Sequence, residues 1–182
     1  MAYYRENRLD EAEAEMQLAL AQRRALFGND HPTVAYSLST LSSVAQKKKE
    51  KALAVQLAAD AVATIERAGR GASREGILLR NTYANALWWT DRNDEALIEA
   101  ERTLVDWQRV APEAKPRHVM MLVLKAQILE DLKRAEESRR TAEEALALDV
   151  PANLLSAMTR KLLRHLSGRN DVYPDPEPVM AK

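Results

Sequence analysis

Three histidines are the residues of this sequence best suited to bind a metal ion or transfer a proton. His31, His118 and His165 are far apart along the chain, and none has a second histidine or a carboxylate at a metal-motif spacing. A metal site requires several ligands that converge on one point. We therefore predict that the protein has no metal site and needs no cofactor.

The motifs that serve acyl and phosphoryl transfer are also missing from the sequence. Gly69-Arg70-Gly71 lacks the third glycine and the preceding strand of a dinucleotide-binding loop. There is no Gly-x-Ser-x-Gly elbow and none of the kinase signature segments. The sequence therefore predicts a protein that is not an enzyme, with its carboxylates on solvated helix faces.

Charge and composition argue against several classes of partner. The 27 basic residues balance the 27 acidic ones, and the basic run 47–51 contains no aromatic residue, so we expect a solvated turn and no nucleic-acid partner. No apolar run approaches the roughly 20 residues of a membrane span, and residues 1–7 do not resemble a signal peptide. We therefore expect no membrane partner. Because cysteine is also absent, we expect an intracellular, cytoplasmic protein.

A repeat of 42 residues organises the chain. Small and apolar residues return in four copies at this interval without an insertion, and such self-similarity is typical of stacked repeats. The equivalent positions are Ala12, Ala54, Ala96 and Ser138; Met16, Ala58, Ala100 and Ala142; Ala19, Ala61, Thr103 and Ala145; and Leu20, Val62, Leu104 and Leu146.

The helical pattern divides each period into a helix A and a helix B. We predict helices over about 10–27, 32–46, 51–67, 73–89, 94–110, 117–131, 134–147 and 152–167, and no strand. The domain is a half repeat (1–29), three repeats (30–71, 72–113 and 114–150) and a capping helix (151–167), followed by a disordered tail (168–182). Residues 1–6 read as the end of a helix A. Either the chain is part of a larger protein, or the open face of the half repeat pairs with another molecule.

The copies resemble tetratricopeptide repeats, specifically the longer variety first known from kinesin light chains. The resemblance rests on the small residues of helix A (Ser42, Ala84, Ala126), on those of helix B, and on the linker at 26–35. It covers nearly all of residues 1–148. Two residues depart from the pattern: Arg80 stands in the column of Leu38 and Leu122, and Lys125 in the column of Leu41.

The resemblance implies an all-α, right-handed solenoid whose helices A line a concave groove. It also implies a non-catalytic scaffold that binds a peptide or protein segment. Such arrays often accompany catalytic or regulatory domains in bacterial signalling proteins, including serine/threonine kinases, so a substrate-docking or regulatory region of a kinase is an alternative. Self-association through the open N-terminal face, giving a homo-oligomer, is another.

Projection of helix A predicts which residues line the groove. Asn81 and Asn85 lie one turn apart, and an amide side chain can both donate to and accept from a peptide backbone. Trp88 and Trp89 point about 100° apart, so we expect at least one ring to reach the groove, the alternative being that both pack over the repeat junction. The full predicted groove is Ser39, Ser43, Gln46, Asn81, Asn85, Trp88, Trp89, Val123, Gln127 and Glu130.

Overall fold

The computed structural model describes residues 8–169 and 171–173, and this part of the chain is helical throughout, with no strand. It contains one short 3-10 helix, Ala152–Leu154, and eight α-helices. The α-helices are α1 (Leu9–Phe27), α2 (Pro32–Lys47), α3 (Lys51–Arg67), α4 (Arg74–Trp89), α5 (Asn93–Val110), α6 (Lys115–Asp131), α7 (Ala135–Ala147) and α8 (Ala157–Ser167). The predicted all-α fold is confirmed.

The turn inside each repeat has the same backbone geometry every 42 residues. Lys49, Asp91 and Lys133 have φ values of 63°, 66° and 63°, in the left-handed region that ends many helices. The amide of the following residue then donates to a carbonyl five residues back, as Glu50 does to Ala45 over 2.9 Å. These turns close helix A and direct helix B back along it.

Capping side chains fix where several helices begin. His31 accepts a 3.3 Å hydrogen bond at Nδ1 from the Thr33 amide, and Pro32 supplies the fixed φ of a first helical turn. Ser73 caps α4 by accepting the Gly76 amide over 3.2 Å. Both caps stand in linkers between repeats, so they set the point at which each helix A starts.

Small buried residues bring the two helices of a repeat together. Ala54 and Ala96 of helix B, and Ala84 and Ala126 of helix A, are completely buried. Alanine permits close approach of two backbones and keeps a high helix propensity. The 42-residue columns are therefore the contact line of the helix pairs.

The structure consists of two compact units, Met1–Pro112 and Glu113–Lys182. In the first unit α1 packs against α2, α2 against α3 and α4, α3 against α4, and α4 against α5. In the second unit α6 and α7 pack against each other, and both contact α8. The boundary lies in the loop that separates the predicted repeats 72–113 and 114–150.

Two predictions at the chain ends need correction or lie outside the described residues. The capping helix was predicted to start at 152, but Leu155 is extended and the Ser156 hydroxyl accepts the Thr159 amide over 3.0 Å, so α8 begins at Ala157. In the segment 168–182, which the sequence predicts to be a disordered tail, the Tyr173 hydroxyl donates a 2.7 Å hydrogen bond to the Val150 carbonyl. The predicted helix end at 1–6 and the rest of the tail lie outside the described residues.

Candidate functional site

The predicted groove residues of α2 border a pocket between α1 and α2. Ser39 and Ser43 are half-buried, and they line a cavity of about 220 Å³ together with Ala12, Glu15 and Met16 of α1. Gln46, one turn further along α2, is also half-buried. This end of the predicted site therefore offers small hydroxyl groups beside apolar surface.

The predicted residues of α4 share one half-exposed face. Asn81, Asn85 and Trp88 are all partly buried, and α4 packs beside α2. The Asn81 side-chain oxygen is shielded from solvent and accepts no hydrogen bond. An unsatisfied buried acceptor costs about 1–3 kcal/mol.

Trp89 lies toward the turn end of the repeat. The ammonium group of Lys51, the first residue of α3, is 5.8 Å from the centre of the Trp89 ring, within range of a cation–π interaction. Lys51 also forms a 3.1 Å ion pair with Asp91, in the turn that follows α4. The Trp89 ring therefore lies next to Lys51 of the same chain. Asn81 and Asn85 lie nearer the start of α4.

The last three predicted residues belong to the second unit and differ in accessibility. Val123 is only 5% exposed, so a ligand could touch little of it. Gln127 is half-buried and Glu130 is exposed. The Glu130 carboxylate lies 3.1 Å from Nε2 of His165, which ties the end of α6 to α8.

A buried arginine is the feature that the sequence analysis did not anticipate. Arg80 is 7% exposed, and its guanidinium lies 2.6 Å from Asp106, 3.6 Å from Glu66 and 3.8 Å from Glu99. It links α3, α4 and α5 where an aliphatic side chain stands in the other repeats. The sequence shows that Arg80 departs from the leucine column. It does not show the three carboxylate partners of Arg80, because they belong to other helices.

The histidines have separate structural roles. The His31 ring stacks on Phe27 with centroids 4.6 Å apart, next to its capping bond. His118 is buried, and burial lowers the pKa of its imidazole, an effect that Glu144 partly opposes. No group of three histidine or acidic side chains within residues 8–169 and 171–173 is placed to hold a metal ion.

None of the helices in the described residues is long and apolar enough to cross a membrane.

The repeat pattern and the geometry of the helix pairs define this chain as an α-solenoid repeat protein. Residues 1–67 match the family model "Tetratricopeptide repeat", in agreement with the resemblance that the 42-residue columns carry.

Solved structures extend the likeness of fold beyond residue 67. The tetratricopeptide-like repeats of a Podospora anserina protein assigned as a kinesin light chain are 17% identical, with a TM-score of 0.75 over 93% of this chain and 82% of that one. Their Q17M variant gives 16% and 0.76. BtubC (BKLC) from P. vanneervenii is 15% identical, with a TM-score of 0.74 over 99% of this chain and 65% of that one. A comparison with curated proteins finds no match.

Proposed function

We propose that this protein is a non-catalytic scaffold that binds an extended peptide segment of a partner protein on the helix-A face of α2 and α4. The observation that carries the proposal is the half-exposed pair Asn81 and Asn85 on the same face of α4 as Trp88. The tetratricopeptide fold supports it, because its helices A offer an extended surface for peptides.

The spacing of the two amides suits a peptide backbone. Asn81 and Asn85 are four residues apart, which is a rise of about 6 Å along the helix. Two residues of an extended chain span about 6.6 Å. Both amides can therefore donate to peptide carbonyls, and the Asn85 amide can also accept from a peptide N–H, so the scaffold would hold a segment by its backbone.

Aromatic contact would supply the larger share of the affinity. Trp88 offers a large, rigid surface next to the amides, and interface tryptophans are often the residues whose truncation costs 2 kcal/mol or more. The predicted residues of α2 and α4 are uncharged. We therefore expect binding that depends little on salt.

The test is to select binding segments from a library of extended peptides and to measure their affinity for four forms of the chain. Asn85→Ala and Trp88→Ala should weaken binding, the second by about 30-fold, which corresponds to 2 kcal/mol. Glu101→Ala, an exposed residue of α5, is the control. Circular dichroism checks that every variant is still helical. Unchanged binding by both groove variants would place the site elsewhere.

A further inference from the structure

A lysine fills the space between the start of α1 and the turn after α2. The Lys48 ammonium group lies 2.6 Å from Glu13 and 3.0 Å from Asp10, both in α1. It also lies 3.4 Å from Glu50, the last residue of the turn, and the Lys48 side chain is only 23% exposed. An aliphatic stem with a charged end therefore occupies this space, and three carboxylates surround the charge.

The equivalent space one repeat later, between α3 and the turn after α4, is an open pocket of about 480 Å³. Four residues of its wall replace residues of the first contact, 42 positions earlier: Ala52 for Asp10, Val55 for Glu13, Thr90 for Lys48 and Arg92 for Glu50. Lys51 and Gln56 complete the wall, and we call this space the α3 turn pocket.

The chain does not fill the α3 turn pocket with the residue that fills the first space. Thr90 stands at the position of Lys48, but its side chain is short. The Thr90 hydroxyl donates to the Leu87 carbonyl of its own helix over 2.8 Å, so it turns back to α4. Both walls of the pocket belong to the first unit, and the counterpart of the filling residue is present without filling it.

The α3 turn pocket favours a charge of the opposite sign. Its base has lost both carboxylates, since Ala52 and the buried Val55 replace them. Two exposed cations, Lys51 and Arg92, stand at its rim. A ligand cation placed as Lys48 is placed would therefore meet apolar groups and like charge, whereas an anion would meet opposite charge.

The rim cations have donors to offer a ligand. Lys51 pairs with Asp91 over 3.1 Å, and Arg92 donates to Glu95 from Nε over 2.7 Å and from Nη2 over 2.6 Å. These contacts take only part of the donors, because an ammonium group has three N–H bonds and a guanidinium has five. Both are exposed ion pairs, which contribute little to stability, so a second carboxylate can share them.

We propose that the α3 turn pocket binds a glutamate side chain in an acidic segment of a partner protein. The methylene groups of the glutamate pack on Ala52 and Val55, and its carboxylate accepts hydrogen bonds from Lys51 and Arg92. The ligand thus has the form of Lys48, an aliphatic stem that ends in a charge, but the charge is negative.

This site differs from the proposed groove in position and in chemistry. None of the residues that line the α3 turn pocket belongs to the predicted groove. Exposed charges hold the ligand here, so its binding should weaken as salt rises. The groove on α2 and α4 is expected to depend little on salt, and the two sites can therefore be told apart in one titration series.

The probes are two blocked hexapeptides, acetyl-Ser-Ala-Leu-Glu-Ala-Ser-amide and the same peptide with glutamine in place of glutamate. Amide chemical shifts of the isotopically labelled full chain report both the affinity and the location. The glutamate peptide should give saturable shifts at Val55, Thr90 and Arg92. The glutamine peptide should bind about tenfold more weakly, because it lacks the charge. Sodium acetate at the same concentration should not reproduce the saturable shifts, since it lacks the stem.

A charge reversal at the rim locates the site. Arg92→Glu restores the residue type of Glu50 and should weaken binding of the glutamate peptide about tenfold or more. Arg102→Glu is the matched control, because Arg102 is also an exposed arginine of α5 that pairs with a glutamate three residues away, Glu99 at 3.2 Å. It should bind the peptide as the unchanged chain does.

A second variant closes the pocket from inside. Val55→Glu combined with Thr90→Lys rebuilds the contact of Lys48 with Glu13, and it should abolish binding. Circular dichroism checks that each variant is helical, and the double variant decides the question if the rim variant does not fold. Trp88→Ala should leave the glutamate peptide unaffected, whatever it does to extended peptides in the groove.

Three results would overturn the proposal. The first is the absence of saturable shifts at the pocket, or the same shifts with acetate alone, which would make the pocket a site for any carboxylate. The second is equal binding of the two peptides, or equal binding by the Arg92→Glu and Arg102→Glu chains. The third is a dimer of the chain alone in sedimentation equilibrium that Arg92→Glu dissociates, because a second copy would then supply the acidic group.

Discussion

The hydroxyl group of Ser42 donates a 2.7 Å hydrogen bond to the carbonyl oxygen of Ala54, across the two helices of one repeat. The repeat 114–150 makes the same contact in the opposite direction, since Ser138 of helix B donates to Ala126 of helix A over 2.8 Å. In both repeats the partners are 12 residues apart. The contact line of a helix pair therefore accepts one hydroxyl from either side.

Replacing either serine by alanine should cost about 1 kcal/mol of unfolding free energy, because one buried hydrogen bond is lost and little volume changes. Urea unfolding of Ser42→Ala and Ser138→Ala measures the loss. Ser39→Ala, at a half-buried position of α2, is the control for the change in helix propensity. Equal stability of all three variants and the unchanged chain would contradict this role for the hydroxyl groups.

Arg80→Leu restores the residue type of the equivalent positions, but it should destabilise the first unit by about 2 kcal/mol. This value lies between those of exposed and of buried ion pairs, because the carboxylate partners are partly exposed. Asp106, at 25% side-chain exposure, and Glu99, at 17%, would lose the cation that faces them. The measurement is chemical unfolding of the variant.

Arg102→Leu is the matched control for this arginine, because Arg102 pairs with the same Glu99 over 3.2 Å but is 61% exposed. It should change stability by less than about 1 kcal/mol. The double variant Arg80→Leu with Asp106→Leu should recover part of the loss. A loss in Arg102→Leu as large as that in Arg80→Leu would show that burial of the arginine is irrelevant.

The buried imidazole of His118 should make the second unit less stable in mild acid. Burial lowers the pKa of His118 below its usual 6.5, so the unfolded chain takes up a proton at a higher pH than the folded one. Stability from this group is complete above the unfolded pKa and declines as the pH falls through that value toward the folded one. Thermal unfolding between pH 8 and pH 5 should therefore show a smaller acid-induced loss for His118→Leu than for the unchanged chain. A parallel decline in both would contradict the assignment.

The sequence was sufficient for the fold because the repeat depends on positions that recur. Ala54 and Ala96 lie in one column and face helix A for the same steric reason, so a fixed spacing predicts both the pairing and the turns. The break before α8 was missed because Leu154 and Leu155 both fit an apolar helix face. Only the extended backbone of Leu155 and the cap at Ser156 end that pattern.

The candidate site was less accessible to sequence analysis, since exposure depends on neighbours from other helices. Projection placed Asn81 and Asn85 on one face, which the structure shows as half-exposed. It also placed Val123 on the equivalent face, yet that side chain is buried. The contact of Trp89 with Lys51 joins two repeats and has no signature in either helix alone.

Lys48 connects the turn after α2 to the start of α1, and its loss should loosen that start. Its ammonium group lies 2.6 Å from Glu13, 3.0 Å from Asp10 and 3.4 Å from Glu50, and the hydrogen bonds to Glu13 and Asp10 raise its pKa. Lys48→Met keeps the aliphatic stem but removes the charge, so amides of the first two turns of α1 should exchange hydrogen faster while those of α4 stay unchanged. Lys49→Met, at the exposed neighbouring position, is the control.

High salt should shrink the difference between Lys48→Met and the unchanged chain, because the partners include exposed carboxylates. Equal exchange in α1 for both variants would show that these ion pairs do not hold the helix in place.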